Sequence, residues 1–349
     1  MKTPLKFRNP ASVFMLFLFV FWLVTQFGLG MIIAVAYVMG VNINLLDNIW
    51  IMVLVQLFGL LLPLFLWLLI TKDSFKRNMP NRPLGAINFI LIIILGVLII
   101  PLAMFFSAVS SLFVTNDVAV MLQSLSAHPW WLMMLVFAVT PGVVEELVFR
   151  GYIQSNTRGS IAKVAVLNGF LFAIMHLSAH QFVYTFVLGV VFAYMVYYTK
   201  SIWAAIIPHF IMNGVNVTIS YWATRGLYNS DALAEEVSFA QELYNAFEPM
   251  DPELARRAYE WASNVNVDVL AVGVVGVIAL FATAGFVGIF AAFVSHNRKR
   301  SKLFEVAPED VPEDIAEDAD EPKRFRIDWC LVAVVVIYLL VVVSTMLIT

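Results

Sequence analysis

The sequence predicts an all-α fold, a bundle of about nine membrane-spanning helices, with the N-terminus cytoplasmic and the C-terminus extracytoplasmic. Three observations carry that expectation. Of the 349 residues 61% are hydrophobic and only 13% charged, against roughly 45–50% and 25% in soluble domains. The apolar residues fall in runs of about the 20 needed to cross a bilayer. The charges are grouped between those runs, and Lys and Arg recur on alternate connections.

The runs lie at 12–39, 49–71, 86–114, 130–157, 161–178, 181–199, 202–224, 267–294 and 328–348. The first follows Lys2, Lys6 and Arg8. It is too long for the ~7–15-residue core of a cleavable signal peptide, so it is expected to stay as a span. The fifth and sixth are short and joined only by Ser178, Ala179 and His180, which places His180 in a solvated turn. Lys72, Lys76, Arg77 and Arg82, then Arg158 and Lys163, then Lys200, then Arg298–Lys302 with Lys323, Arg324 and Arg326 all fall on one side of the alternation. Asp47, Asp117 and an acidic loop fall on the other. The positive-inside rule then sets the orientation.

By this reading 1–128 holds the first helices, 129–224 a catalytic core and 225–266 an acidic extracytoplasmic loop. Residues 267–300 hold the eighth span, 301–326 an acidic cytoplasmic linker and 327–349 the last span. The linker, with nine carboxylates and several prolines between 303 and 322, has the composition of a disordered tether. A net charge of −3 gives no reason to expect nucleic acid, and a single cysteine, Cys330, excludes an intrachain disulfide. The lipid bilayer is the expected surround. Chain length and the want of an organelle leader point to a prokaryotic plasma membrane.

Ionisable groups cost at least about 2.5–3.5 kcal/mol at the centre of a span, and those found there usually face a cavity or a partner. Three runs carry them. The fourth reads Thr140-Pro141-Gly142-Val143-Val144-Glu145-Glu146-Leu147-Val148-Phe149-Arg150, the fifth ends Phe172-Ala173-Ile174-Met175-His176, and the seventh contains Pro208-His209-Phe210-Ile211-Met212-Asn213. Counted along helices at 1.5 Å per residue, Glu145 and His176 both lie roughly 20–24 Å from the turn Arg158-Gly159-Ser160. His209 lies about 10 Å and Asn213 about 16 Å into the seventh run. All three helices can therefore bring polar groups to one level, expected in the cytoplasmic half and open to the cytoplasm. Glu146 and Arg150, four apart, can pair, and that pair is also plain scaffolding. Pro141 is expected to loosen its helix and admit water beside Glu145. His128 and His296 lie at membrane edges and get no catalytic role. Gly273, Gly276, Gly285 and Gly288 of the eighth run read as packing contacts.

A carboxylate beside an imidazole can take a proton from water; a second imidazole and an amide can donate to a developing oxyanion. Glu145 with His176 fits the first task and His209 with Asn213 the second, Glu146 and Arg150 supporting. The spacings Glu145-Glu146-x3-Arg150, Phe172-x3-His176 and His209-x3-Asn213 resemble, in order and register, the motifs of the CPBP family of intramembrane proteases, also called the CAAX-protease and bacteriocin-processing (Abi) family. The resemblance covers about 130–220. It implies a glutamate-dependent endopeptidase acting on a membrane-associated or peptide substrate, with Glu145 and His176 activating water and His209 and Asn213 holding the oxyanion. No cofactor is then needed. The alternative is zinc held by Glu145, His176 and His209, with water as fourth ligand. Two non-proteolytic readings use the same pocket: a bacteriocin-immunity or accessory binding protein, and a proton-coupled transporter, which the lack of an inverted repeat disfavours.

Overall fold

Apolar runs in a bilayer satisfy their backbone groups internally, and a helix does so within one segment. The computed structural model describes residues 10–40, 49–157, 159–229, 239–263, 267–302 and 328–348. Among them no strand forms, apart from a single bridge between Asn81 and Ser201. The helices, in order, are α1 (Pro10–Val38), α2 (Ile49–Thr71), α3 (Ala86–Ser111), α4 (Asp117–Ser124), α5 (Trp130–Asn156), α6 (Ile161–Met175), α7 (Ala179–Thr199), α8 (Trp203–Asn229), α9 (Phe239–Phe247), α10 (Pro252–Ser263), α11 (Val267–Lys302) and α12 (Trp329–Ile348), with one extra turn at Phe75–Asn78. The linker, the first nine residues and the acidic stretch 230–238 lie outside the described residues.

Each of the nine expected runs has become a helix, but among the described residues six are both long and apolar enough to cross a membrane: α1, α2, α3, α5, α7 and most of α11. The protein is a multi-pass membrane protein. Helix α8 has the length but carries His209, Asn213 and Asn216, which dilute it. Helix α6 is apolar but only 15 residues long, about 22 Å, short of a ~30 Å hydrocarbon core.

That shortness corrects one expectation. Because α6 stops at Met175, the turn Leu177-Ser178 lies within the protein, with Leu177 at φ 50°. The Ser178 hydroxyl then accepts the Gln181 N–H and starts α7. His180 is consequently buried, 2% exposed, not solvated.

Two apolar clusters flank the centre. One joins α1, α2, α5, α6 and α12 around Phe14, Trp67, Tyr152 and Phe172, with Trp67 Nε1 donating to Tyr152 Oη at 2.6 Å. The other joins α3, α7, α8 and α11 around Ile92, Phe192 and Phe293. Asn88 of α3 and Asn297 of α11 exchange side-chain hydrogen bonds at 3.0 and 2.7 Å within it. On α11, Gly276 abuts Phe105 and Gly285 abuts Leu98; Gly273 and Gly288 face open space and are not packing contacts. The segment before α3 is tied to the α7–α8 turn by Arg82 N–H to the Lys200 carbonyl and Ile202 N–H to the Pro80 carbonyl.

Helix α5 is not regular. It widens into π-turns at Leu135–Val139 and Leu147–Ile153. The first precedes Pro141, which cannot donate to the Phe137 carbonyl; Thr140 gives both its N–H and its hydroxyl to Leu135 O instead. The second begins just after Glu146 and contains Arg150. Such turns recur beside functional sites.

Candidate functional site

The irregular helix places adjacent glutamates in different surroundings. Successive helical residues stand about 100° apart, so Glu145 faces a cavity while Glu146 turns into the protein. Glu146 and Arg150 are both 0% exposed and pair at 3.0 Å. Arg150 Nη2 also donates to the Gly189 carbonyl at 3.2 Å. Its guanidinium lies 4.5 Å from the centre of the Phe172 ring and 5.5 Å from that of Phe192, contacts worth up to about 2 kcal/mol when desolvated. The Gly189 carbonyl is reachable because α6 and α7 touch there: a Cβ on Gly189 would lie 2.6 Å from the Gly169 Cα.

Glu146 does more than hold Arg150. Its Oε1 accepts from His209 Nδ1 at 2.8 Å, so the two share one carboxylate oxygen. Sequence spacing assigned Glu146 to Arg150 alone, because the 63-residue separation from His209 gives no local signal. The bond turns His209 Nε2 towards Glu145, 3.9 Å from Glu145 Oε2. That separation is a charge contact, too long for a hydrogen bond. Glu145 Oε2 is buried and makes no hydrogen bond to the described residues.

His176 ends α6. Its Nδ1 lies 2.8 Å from the Phe172 carbonyl; a carbonyl can only accept, so Nδ1 carries the proton and Nε2 keeps its lone pair. Glu145, His176, His209 and Asn213 all line one cavity of about 190 Å³. Pro141 lines it as well, and Glu146 and Arg150 stand behind it. Gln181, Tyr184 and Asn216 share its wall and were missed from the sequence. Asn216 had a signal, standing seven residues after His209 on the same helix face. Tyr184, whose hydroxyl donates to Gln181 at 2.9 Å, had none.

Among the described residues no three His, Cys, Asp or Glu side chains are grouped to hold a metal ion. Two atoms bound to one tetrahedral zinc at 2.0–2.1 Å stand roughly 3.4 Å apart, closer than His209 Nε2 and Glu145 Oε2.

Residues 127–215 match the family model described as "Rce1-like: Type II CAAX prenyl endopeptidase Rce1-like". This segment is similar to the CAAX-protease family. No curated protein and no solved structure matches the chain. The matched segment runs from the start of α5 into α8 and contains all six site residues named from the sequence. The CAAX-protease segment therefore coincides with the cavity and the ion-paired layer behind it; α1–α3, α11 and α12 surround it.

Proposed function

We propose that this protein is an intramembrane endopeptidase that hydrolyses a peptide bond with a water activated by Glu145. The observation that carries the reading is Glu145 Oε2 itself. It is buried, makes no hydrogen bond to the described residues, and is set across one cavity from two imidazoles and an amide.

Charge balance assigns the protons. Glu145, Glu146, Arg150 and His209 sum to zero if both glutamates are ionised and His209 is an imidazolium, and a low-dielectric interior favours compensated charge. His209 then donates from Nδ1 to Glu146 and presents Nε2–H to the cavity. Glu145 takes a proton from water while the lone pair of His176 Nε2 accepts the other and aims the oxygen. The hydroxide adds to the scissile carbonyl carbon. The carbonyl oxygen becomes an oxyanion that accepts from His209 Nε2–H and the Asn213 amide, donors placed before the charge forms. Collapse breaks the C–N bond, and the leaving nitrogen takes the proton back from Glu145.

The charge pattern supports a prokaryotic plasma membrane with Lys72, Arg82, Lys163, Lys200 and Arg298 on its cytoplasmic side. The substrate on this reading is a polypeptide in or at the membrane. The test is cleavage by purified protein of quenched-fluorescent peptides, alongside the N-terminal proteome of cells carrying wild type or Glu145→Gln. Cleavage retained by both Glu145→Gln and His176→Ala refutes the chemistry. No cleavage by wild type, with the cellular phenotype intact in both variants, points instead to the accessory binding role. Chelator treatment that abolishes cleavage, restored by zinc, overturns the metal-free step.

A further inference from the structure

A second cavity of about 230 Å³ adjoins the first and shares four wall residues with it: Val118, Leu122, Tyr184 and Asn216. Neither cavity reaches the roughly 300 Å³ of a typical ligand pocket alone, and the two together do. We infer that the second cavity is the subsite that binds the substrate polypeptide beside the scissile bond, and that substrate reaches it from the end of the bundle opposite Lys200. The inference rests on the protease reading above.

Three features point to a polypeptide. The wall is polar on several sides: Ser107 and Ser111 from α3, His180 from α7, and Asn216 and Ser220 from α8. The most buried of these, His180, is 2% exposed and sits 2.9 Å from the Ser111 hydroxyl. Ser111 and His180 already answer each other, but a hydrocarbon chain filling this space would offer the Asn216 amide on its wall no partner, at about 1–3 kcal/mol for a polar group left unpaired. An extended peptide brings the matching N–H and C=O groups, and needs them answered once it leaves water. Tyr184, held by Gln181, stands at the junction and leads from this cavity to Glu145.

Position gives the direction of access. Helix α7 is 21 residues long, about 30 Å, which is the thickness of a hydrocarbon core. His180 is its second residue and Lys200 follows its last. Ser107 lies near the far end of α3, whose start is tied to the Lys200 turn through Arg82. Ser111 and Ala119, both exposed, form the mouth. The two adjoining cavities thus run from mid-depth towards the face away from Lys72, Lys163, Lys200 and Arg298. This replaces the expectation that the site opens to the cytoplasm; by the positive-inside rule the mouth is extracytoplasmic.

The test uses the full-length chain with Cys330→Ala, which removes its single cysteine, and Ser107→Cys or Ser111→Cys added one at a time. A membrane-impermeant maleimide is applied to intact cells and to inverted vesicles. Labelling from the extracytoplasmic face is expected; labelling from the cytoplasmic face alone overturns the direction. Repeating the labelling in a Glu145→Gln background with quenched-fluorescent peptides present needs no turnover. Protection of Ser107→Cys supports the subsite even if wild type cleaves nothing, so the two readings fail separately. Unchanged labelling with peptides that wild type does cleave overturns it. Ala119→Trp, which narrows the mouth from an exposed position, should raise KM about tenfold with kcat within about twofold, as for lost uniform binding. An unchanged KM counts against the subsite.

Discussion

Arg150→Met separates what the buried ion pair does for stability from what it does for chemistry. Arg150 and Glu146 are both fully buried and 3.0 Å apart. Removing one partner of such a pair leaves an uncompensated charge and costs about 3–5 kcal/mol. At roughly 2 °C per kcal/mol for a large chain, the midpoint of unfolding in detergent, followed by tryptophan fluorescence, should fall about 6–10 °C. Glu146→Gln added to Arg150→Met removes both charges of the pair, and the amide oxygen still accepts from His209 Nδ1. Most of the lost stability should return. Cleavage should not, because His209 no longer has a carboxylate behind it to hold its second proton. Losing one oxyanion donor costs about 10²–10³ in kcat. Two results would refute this reasoning. A fully stable Arg150→Met would mean that Glu146 is not a buried charge. A double variant cleaving at the wild-type rate would mean that the charge on Glu146 plays no part in His209's role.

The remaining predictions bear on the water, the helix contact and the surface. Glu145→Gln should fold with wild-type stability and lose about 10²–10⁴ in kcat, the usual share of a general base; turnover measured with a fluorogenic peptide decides it. Gly189→Ala should cost roughly 1–3 kcal/mol, since its Cβ would sit 2.6 Å from the Gly169 Cα and overpacking costs that much. It should also lower cleavage by moving the carbonyl that Arg150 uses, whereas Gly288→Ala, which meets nothing within 4 Å, should leave both unchanged. On α10, hydrogen bonds from Arg256 and then Arg257 pull the Glu253 carboxyl down to about 2. A depressed folded value means that its small stabilising contribution is complete above the ordinary 4.5 and is lost as pH falls through about 2. A carboxyl signal titrating near 4.5 in a ¹³C experiment would show that the pairing does not persist in solution.

The helices and the site motifs were legible for one reason: ionisable residues are costly inside apolar runs, so Glu145, Glu146, Arg150, His176 and His209 stand out against a background that has almost none. Regular 1.5 Å spacing along helices was enough to bring them to a common depth. It was not enough to pair them. The hydrogen bond between Glu146 and His209 joins residues 63 apart in sequence, a pairing that no spacing along one helix encodes, and α5 itself departs from regular spacing at its π-turns. Those turns answer to Pro141 and to tertiary packing, neither of which sets a sequence period. Reading along one helix left Glu146 to the partner four residues away and missed the one on α8.

The second cavity was hidden for the opposite reason. Its polar groups are mostly uncharged serines and asparagines, which cost little in a helix because a hydroxyl can bond the carbonyl one turn back, as Ser111 does to Ser107. Spread over α3, α4, α7 and α8, they raise no signal in any one run. His180 alone could have betrayed them, and its burial follows from the length of α6. Counting His176 through Ser178 into the fifth span pushes the turn, and His180 with it, out to solvent. Stopping at Met175 keeps both inside and aims His180 at α3. A helix too short to cross the bilayer therefore does two things at once. It presents His176 at its own C-terminal end beside Glu145, and it leaves room above that end for a polar passage to the face away from Lys200.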